Sequence, residues 1–196
     1  MARLKTSGIQ SRKEQILDQA AALFKTKGFN ATTMRHLAEH LQMEAASLYN
    51  HISSKEELLR DICFFVADQF NEHLAQIEAD PFPPAQKIEN LLRFHIHMLI
   101  TRHNEVYVSN RDWKHLKEPH LSNFLQTRRQ YENRLAAIVQ QGIELGQFRR
   151  VHPHVATLAM LSTVRSIEYW QRSKRQISSR QVAEDLITLI LKGMEQ

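Results

Sequence analysis

The 196-residue sequence predicts an all-α protein of about nine helices, a three-helix N-terminal domain with a helix-turn-helix followed by a larger helical domain. Three observations carry this. Gly and Pro are scarce, at five each, apolar residues recur at spacings of three and four, and no stretch alternates as a strand would. Single domains run to roughly 100–200 residues, so a chain of this length can bury a full core, and its 42% apolar and 24% charged residues exclude a disordered or collagenous chain. The lone Cys63 has no partner for a disulfide, the N-terminus lacks an apolar signal, and no window approaches the roughly 18 apolar residues of a membrane span. A cytoplasmic protein without membrane contact is expected.

Helix one is expected from about Ser11 to Lys27, with Ile16, Ala20, Leu23 and Phe24 on its apolar face and Gly28 as the left-handed residue that ends it. A short second helix begins at Thr32 or Thr33, either hydroxyl able to cap it, and buries Leu37, Ala38 and Leu41. A third spans about Ala45 to Ile52. Ser53 with Glu56 and Ser54 with Glu57 form two overlapping capping boxes before a long fourth helix to about Ala79. Asp80-Pro81-Phe82-Pro83-Pro84 breaks it. Further helices are expected over Ala85 to about Arg102, His120 to about Gln147, Pro153 to about Arg172 and Ser179 to Met194, the last capped by Ser178. The stretch to Pro119 shows no clear pattern. Gly142-x3-Gly146 reads as close helix packing and a helix end rather than a membrane dimer motif.

The pattern from Thr32 to Ile52 is two short helices joined by Gln42-Met43-Glu44. The second helix of such a pair fits a major groove about 12 Å wide. Ser47, Tyr49, Asn50 and His51 are left outward, each able to hydrogen-bond to bases or phosphates. Residues 1–60 carry nine Lys/Arg against six acids, and four of the bases precede Glu14. This is the footprint of a chain that meets an anionic partner.

From Arg12 to Ile62 the chain resembles the DNA-binding region of the tetracycline-repressor (TetR) family. The residues are Ala22-x-Phe24-x3-Gly28-Phe29-x2-Thr32-Thr33, Leu37-Ala38-Glu39 and Ser47-Leu48-Tyr49-x-His51-Ile52-x2-Lys55-x2-Leu58-Leu59. The resemblance implies a homodimeric repressor that binds a double-stranded DNA operator and is released by a small-molecule effector, with a DNA-binding domain over 1–53 and an effector and dimerisation domain over 54–196. It places Thr33, Tyr49 and Lys55 at phosphates, Lys55 beside the N-terminus of helix four, and Arg35, Ala45, Ser47, Asn50 and His51 at bases or the adjacent backbone. Gln42 stands where Gly is usual, suggesting a less strained turn. Glu44 replaces a common Ser or Thr and puts one phosphate contact in question, Ala46 stands where Gly is frequent and Ile52 where Phe is usual.

The second half resembles, less specifically, members that respond to acyl-CoA or steroid-CoA thioesters, through Arg128-Arg129-x-Tyr131-Glu132, Ile138-x3-Gly142-Ile143-x2-Gly146-x-Phe148, Tyr169-Trp170, Ile177-Ser178 and Leu191-x-Gly193. An effector pocket among helices four to eight is expected to draw on Phe94, His95, Met98, Arg102, Trp113, Phe124, Arg128, Tyr131 and Trp170. His95 shares a stripe with Ile88, Leu91, Leu92, Met98 and Leu99, which suits a core histidine with a local hydrogen bond. Arg128 on an apolar face needs an acid such as Glu132, a path to solvent or an anionic ligand. The last two helices are apolar on more sides than one contact requires. Val155, Leu158, Leu161, Val164, Ile167, Val182, Leu186, Leu189 and Ile190 are therefore expected at a dimer interface.

Two rivals come from other classes. One is a helical adaptor or architectural DNA-binding protein without an effector. The other is a zinc hydrolase, since His36-x-x-Glu39-His40 fits an inverted zinc-peptidase signature. His95-x-His97 and His152-x-His154 are spaced to diverge on a helix and are not ready chelates. No enzyme activity, metal or cofactor is expected.

Overall fold

The computed structural model describes residues 12–50, 52–168 and 177–195. Its α-helices are α1 (Arg12–Lys27), α2 (Met34–His40), α3 (Ala45–Tyr49), α4 (Lys55–Ala79), α5 (Pro84–Thr101), α6 (His103–Arg111), α7 (His120–Glu144), α8 (Pro153–Arg165) and α9 (Ser179–Met194). A 3-10 turn, Trp113–His115, follows α6. Among the described residues there is no strand, only an isolated bridge between Phe148 and Glu195, and no helix is long and apolar enough to cross a membrane. The basic N-terminal arm, His51, Tyr169 and Trp170 lie outside the described residues.

The chain forms two compact units, one of residues 1–65 with 104–121 and one of 66–103 with 122–196. In the first, Ile16, Ala20, Leu23 and Phe24 of α1 are buried with Leu37 and Ala38 of α2, Leu48 of α3 and Leu58, Leu59 and Ile62 of α4. Gly28 adopts φ +85° as the end of α1 requires. Cys63 is buried and reduced. In the second, α5 packs against both α8 and α9, and α8 against α9. Arg93 of α5 bridges Glu89 and Glu184 of α9 at 2.8 and 2.7 Å.

Several sequence expectations are corrected. The stretch 103–119 holds α6 and the 3-10 turn, and α6 buries Glu105 and Ser109 beside Val106 and Val108, so its buried face is not apolar in sequence. The helix that begins at Pro153 is interrupted at Ser166, whose backbone N–H and hydroxyl both turn back onto the Thr163 carbonyl, at 3.0 and 2.6 Å; Ile167 and Glu168 are helical again, and the rest of the stretch expected to about Arg172 lies outside the described residues. Ahead of α4, Ser54 Oγ accepts the Glu57 N–H at 3.1 Å while the Glu57 carboxylate accepts the Ser53 N–H at 2.8 Å and the Ser53 hydroxyl. One composite cap thus replaces the two overlapping boxes, and these bonds hold the Glu57 carboxyl below the usual carboxylate range. His152 precedes α8 as its cap, so helical spacing does not apply to the His152–His154 pair, whose exposed rings lie 5.8 Å apart.

The turn after α2 also departs from expectation. Gln42 has φ +54°, so the left-handed conformation is retained without Gly and the turn is more strained, not less. Its N–H bonds to Glu39 O at 3.1 Å and that of Met43 to Ala38 O at 2.9 Å. These two bonds are the Schellman closure of a helix, and they fix the angle at which the chain leaves α2.

Candidate nucleic-acid interface

Thr33 caps α2. Its hydroxyl accepts the His36 N–H at 3.2 Å and its own N–H is accepted by His36 Nδ1 at 3.4 Å, a capping box with histidine in the acidic position. Glu44 occupies the cap of α3 without a side-chain bond to it, and Leu48 anchors the inner face of that helix in the core, with Ile52 buried just beyond its end. With that face buried, Ala45, Tyr49 and Asn50 are exposed and Ser47 half-buried. Tyr49 keeps 54% of its surface, high for an aromatic side chain with nothing over it.

Thr33, Arg35, Tyr49 and Lys55 come together with Asn30, Ser53 and Ser54 around a surface groove of about 480 Å³. Arg35 is exposed and pairs with Glu39 at 2.9 Å, a surface contact that another anion can replace at small cost. Lys55 opens α4, beside its N-terminus as expected. Its Nζ donates to the carbonyls of Phe29, Asn30 and Thr32 at 3.0, 3.3 and 3.0 Å and lies 4.6 Å from the centroid of the Phe29 ring. The other face of the network is aromatic, with Phe29 stacked on His115 at 5.2 Å and edge-on to Phe24 at 5.2 Å. Sequence reasoning missed these partners, since nothing local marks three carbonyls 23 to 26 residues away as the destination of a lysine.

Two groups of the zinc signature have other partners, Glu39 on Arg35 and the His36 ring in the cap of α2. Among the described residues no three His, Cys, Asp or Glu side chains are grouped to hold a metal.

In the second unit, His95 Nε2 and the Tyr131 hydroxyl share a hydrogen bond of 2.6 Å. The His95 ring stacks on Phe70 at 4.2 Å and Phe94 stacks on His73 at 3.8 Å. Burial, with a smaller contribution from the neighbouring His73 and Arg165, pushes His95 down to about 3, so the ring is neutral. Burial raises the Tyr131 phenol. Met98 and Phe124 are buried, and the half-buried Arg128 lays its guanidinium 5.9 Å from the Phe124 centroid. Arg102 is half-buried at the end of α5. An open groove of about 390 Å³ is lined by His73, Ile77, Asp80, Asn90, Phe94 and His97 among others. The structure therefore gathers Phe94, His95 and Tyr131 into one aromatic cluster, whereas Trp113 belongs to the first unit.

On α8 and α9 the expected interface residues divide. Val164, Ile167 and Val182 are buried in the protomer's own core. Val155, Leu158 and Leu189 stand 63%, 62% and 69% exposed, with Leu161, Leu186 and Ile190 half-buried beside them.

Residues 16–62 match the model of the bacterial regulatory proteins of the tetR family, and residues 81–194 that of the tetracyclin repressor-like C-terminal domain. The chain belongs to the TetR family. As such it is a helix-turn-helix, DNA-binding transcriptional regulator. It is 25% identical over 191 residues to the HTH-type transcriptional repressor KstR2 of Mycolicibacterium smegmatis, covering 95% of this chain and 92% of that protein. The structure of AibR in complex with isovaleryl coenzyme A and operator DNA matches with TM-score 0.80 at 26% identity, over 91% of this chain and 97% of that one. The ketosteroid transcriptional regulator KstR2 of Mycobacterium tuberculosis shares the fold at TM-score 0.88 and 24% identity, covering 96% and 97% of the two chains.

Proposed function

We propose that this TetR-family chain is a homodimeric, effector-released repressor in the cytoplasm, with a DNA-reading domain over 1–53 and an effector and dimer domain over 54–196. The observation that carries the reading is the outer surface of α2 and α3, where Thr33, Arg35, Ser47, Tyr49 and Asn50 face one side of a helix pair whose other side is core. Thr33 and Tyr49 hold phosphates; Arg35, Ala45, Ser47, Asn50 and His51 meet bases or the adjacent backbone. Two copies joined through the exposed apolar strip of Val155, Leu158 and Leu189 present two heads to one face of a duplex, and a two-fold protein reads an inverted repeat. A strip of leucine and valine more than half exposed on adjacent helices is costly to leave in water, and a second copy of the same strip covers it.

The effector is a large amphipathic molecule of the acyl-CoA class. Support comes from the AibR complex with isovaleryl coenzyme A and from the apolar cluster around His95 and Tyr131, mostly rings with a few placed polar atoms, the general form of a ligand site. Selection of duplexes from a random pool tests the operator. The expected result is an inverted repeat whose half-sites lie one helical turn, about 34–36 Å, or somewhat more apart. Leu189→Glu is expected to give monomers that lose the inverted repeat. An enriched sequence without two-fold symmetry, or a wild-type monomer by light scattering, overturns the reading.

A further inference from the structure

A neutral imidazole has one N–H donor and one acceptor nitrogen, and a phenol has one donor and two lone pairs. His95 is neutral and the Tyr131 phenol keeps its proton, because burial disfavours the charged form of each. The bond of 2.6 Å between them uses one donor and one acceptor. Among the described residues neither the His95 ring nor the Tyr131 hydroxyl makes another hydrogen bond, so the pair leaves a donor and an acceptor unused. Its surroundings are rings. Phe70 stacks on His95 at 4.2 Å and lies 6.2 Å from Tyr131, and Phe94 stands edge-on to Phe70 at 6.0 Å. Hydrogen-bonding capacity left unused beside apolar walls is costly, and a ligand atom that takes it up is held strongly. Tyr131 is only 8% exposed, whereas Phe70, Phe94 and His95 each keep part of their surface open.

The Tyr131 oxygen can meet a hydroxyl in either tautomer of His95. When the phenol donates to Nε2, its lone pairs accept from the ligand; when Nε2–H donates to the phenol, the phenol proton goes to the ligand. A hydroxyl plays both parts, a carboxylate only accepts, and a methylene does neither. We propose that Tyr131, oriented by His95, is the specificity-determining contact of the effector site, and that the acyl part of the effector carries a hydroxyl that hydrogen-bonds to it. This rests on the reading of the effector as an acyl-CoA thioester and deepens it from a hydrocarbon chain to a hydroxyacyl group.

Isothermal titration of the full chain tests the proposal. The ligands are the plain thioester of the chain length that binds tightest, its hydroxylated isomers with the hydroxyl moved along the chain, and its carboxyl-ended analogue. The wild type is expected to bind one isomer about tenfold or more tighter than the plain thioester. Tyr131→Phe is expected to bring that isomer to within about twofold of the plain thioester, while binding the plain thioester at least as tightly as the wild type, since a hydrocarbon gains nothing from the lost oxygen. Plain and hydroxylated thioesters bound alike by the wild type would overturn the proposal and leave the acyl-CoA reading standing. So would a preference that survives in Tyr131→Phe, or tightest binding of the carboxyl-ended analogue, which would give the polar end to an anion held by the neighbouring Arg165. Where Tyr131→Phe does not fold, the order of the ligands on the wild type decides. A wild type that binds no thioester at all refutes the acyl-CoA reading and this inference with it, a result separate from binding without preference.

Discussion

Gln42 holds a left-handed φ of +54° that a residue with a Cβ adopts only when its surroundings demand it. The demand is the pair of bonds from Gln42 and Met43 to the end of α2. Gln42→Gly is expected to raise stability by about 0.5–1 kcal/mol, the left-handed penalty less the entropy that Gly loses on folding, read as a higher denaturation midpoint with an unchanged denaturant slope. The position of the turn could be read in the sequence, but its conformation could not, since a missing Gly suits either a relaxed turn or a strained one. His95 gives a second expectation at this scale. Its pKa is near 3 when folded against an ordinary 6.5, so between those values the unfolded chain binds the extra proton. Stability from this group is complete above pH 6.5 and is lost as pH falls toward 3. Between pH 6.5 and 5, above the range of ordinary carboxylates, the slope is expected to approach about 1.4 kcal/mol per pH unit. His95→Gln should reduce it, leaving the part that belongs to His73, whose imidazole pKa burial also lowers, and an equal slope in wild type and variant would place the proton uptake elsewhere.

Gly142 in α7 is the point where helix propensity and packing give opposite forecasts. Alanine is better than glycine in a helix by roughly 0.8–1 kcal/mol, but a Cβ at 142 would overlap the ring of Phe148, which is buried and whose N–H bonds to Gly142 O at 3.1 Å. Overpacking of a filled core costs about 1–3 kcal/mol, so packing wins. Gly142→Ala is expected to lower the melting temperature by several degrees, and Phe148→Leu in the same chain to recover part of the loss, a coupling that a double-mutant cycle measures. Additive effects would show that the ring moves freely away. The spacing of Gly142 and Gly146 suggested a helix end, as found, and close helix packing, whereas Gly142 meets the ring of Phe148 in the segment that follows α7. Periodicity likewise found α1, α5 and α9, whose buried faces are apolar, to within a residue or two. It failed for α6, where Glu105 and Ser109 are buried, and missed the break at Ser166 after α8, because a turn made by one serine leaves the apolar pattern undisturbed. At the site, the exposure of Tyr49 and Asn50 was legible, since the apolar Leu48 and Ile52 mark the side that is buried. The destination of Lys55 was not, because its partners are backbone atoms that carry no side-chain signature.

On the proposed reading of the molecule as a whole, repression and release require that a ligand in one unit change the affinity of the other for DNA. The chain passes between the two compact units within α4, between His103 and Asn104, and near the start of α7. Residues 104–121 are thus joined at both ends to α5 and α7 of the second unit while grouped with the reading head, and any ligand-dependent rearrangement of those helices reaches the head through covalent bonds. Transmission alone is insufficient. A ligand that binds both arrangements equally shifts nothing, and the shift is bounded by the ratio of its two affinities. Ordinary couplings of about 1–3 kcal/mol change affinity 5- to 150-fold. Acyl-CoA thioesters of increasing chain length are therefore expected to weaken the protein–operator complex by a factor in that range. By linkage, saturating operator must weaken thioester binding by the same factor, which isothermal titration with and without the duplex measures. A thioester that binds while leaving operator affinity unchanged would show a pocket without a switch. Release by an unrelated cationic compound, with no response to any thioester, would overturn the acyl-CoA assignment and leave the coupling itself intact.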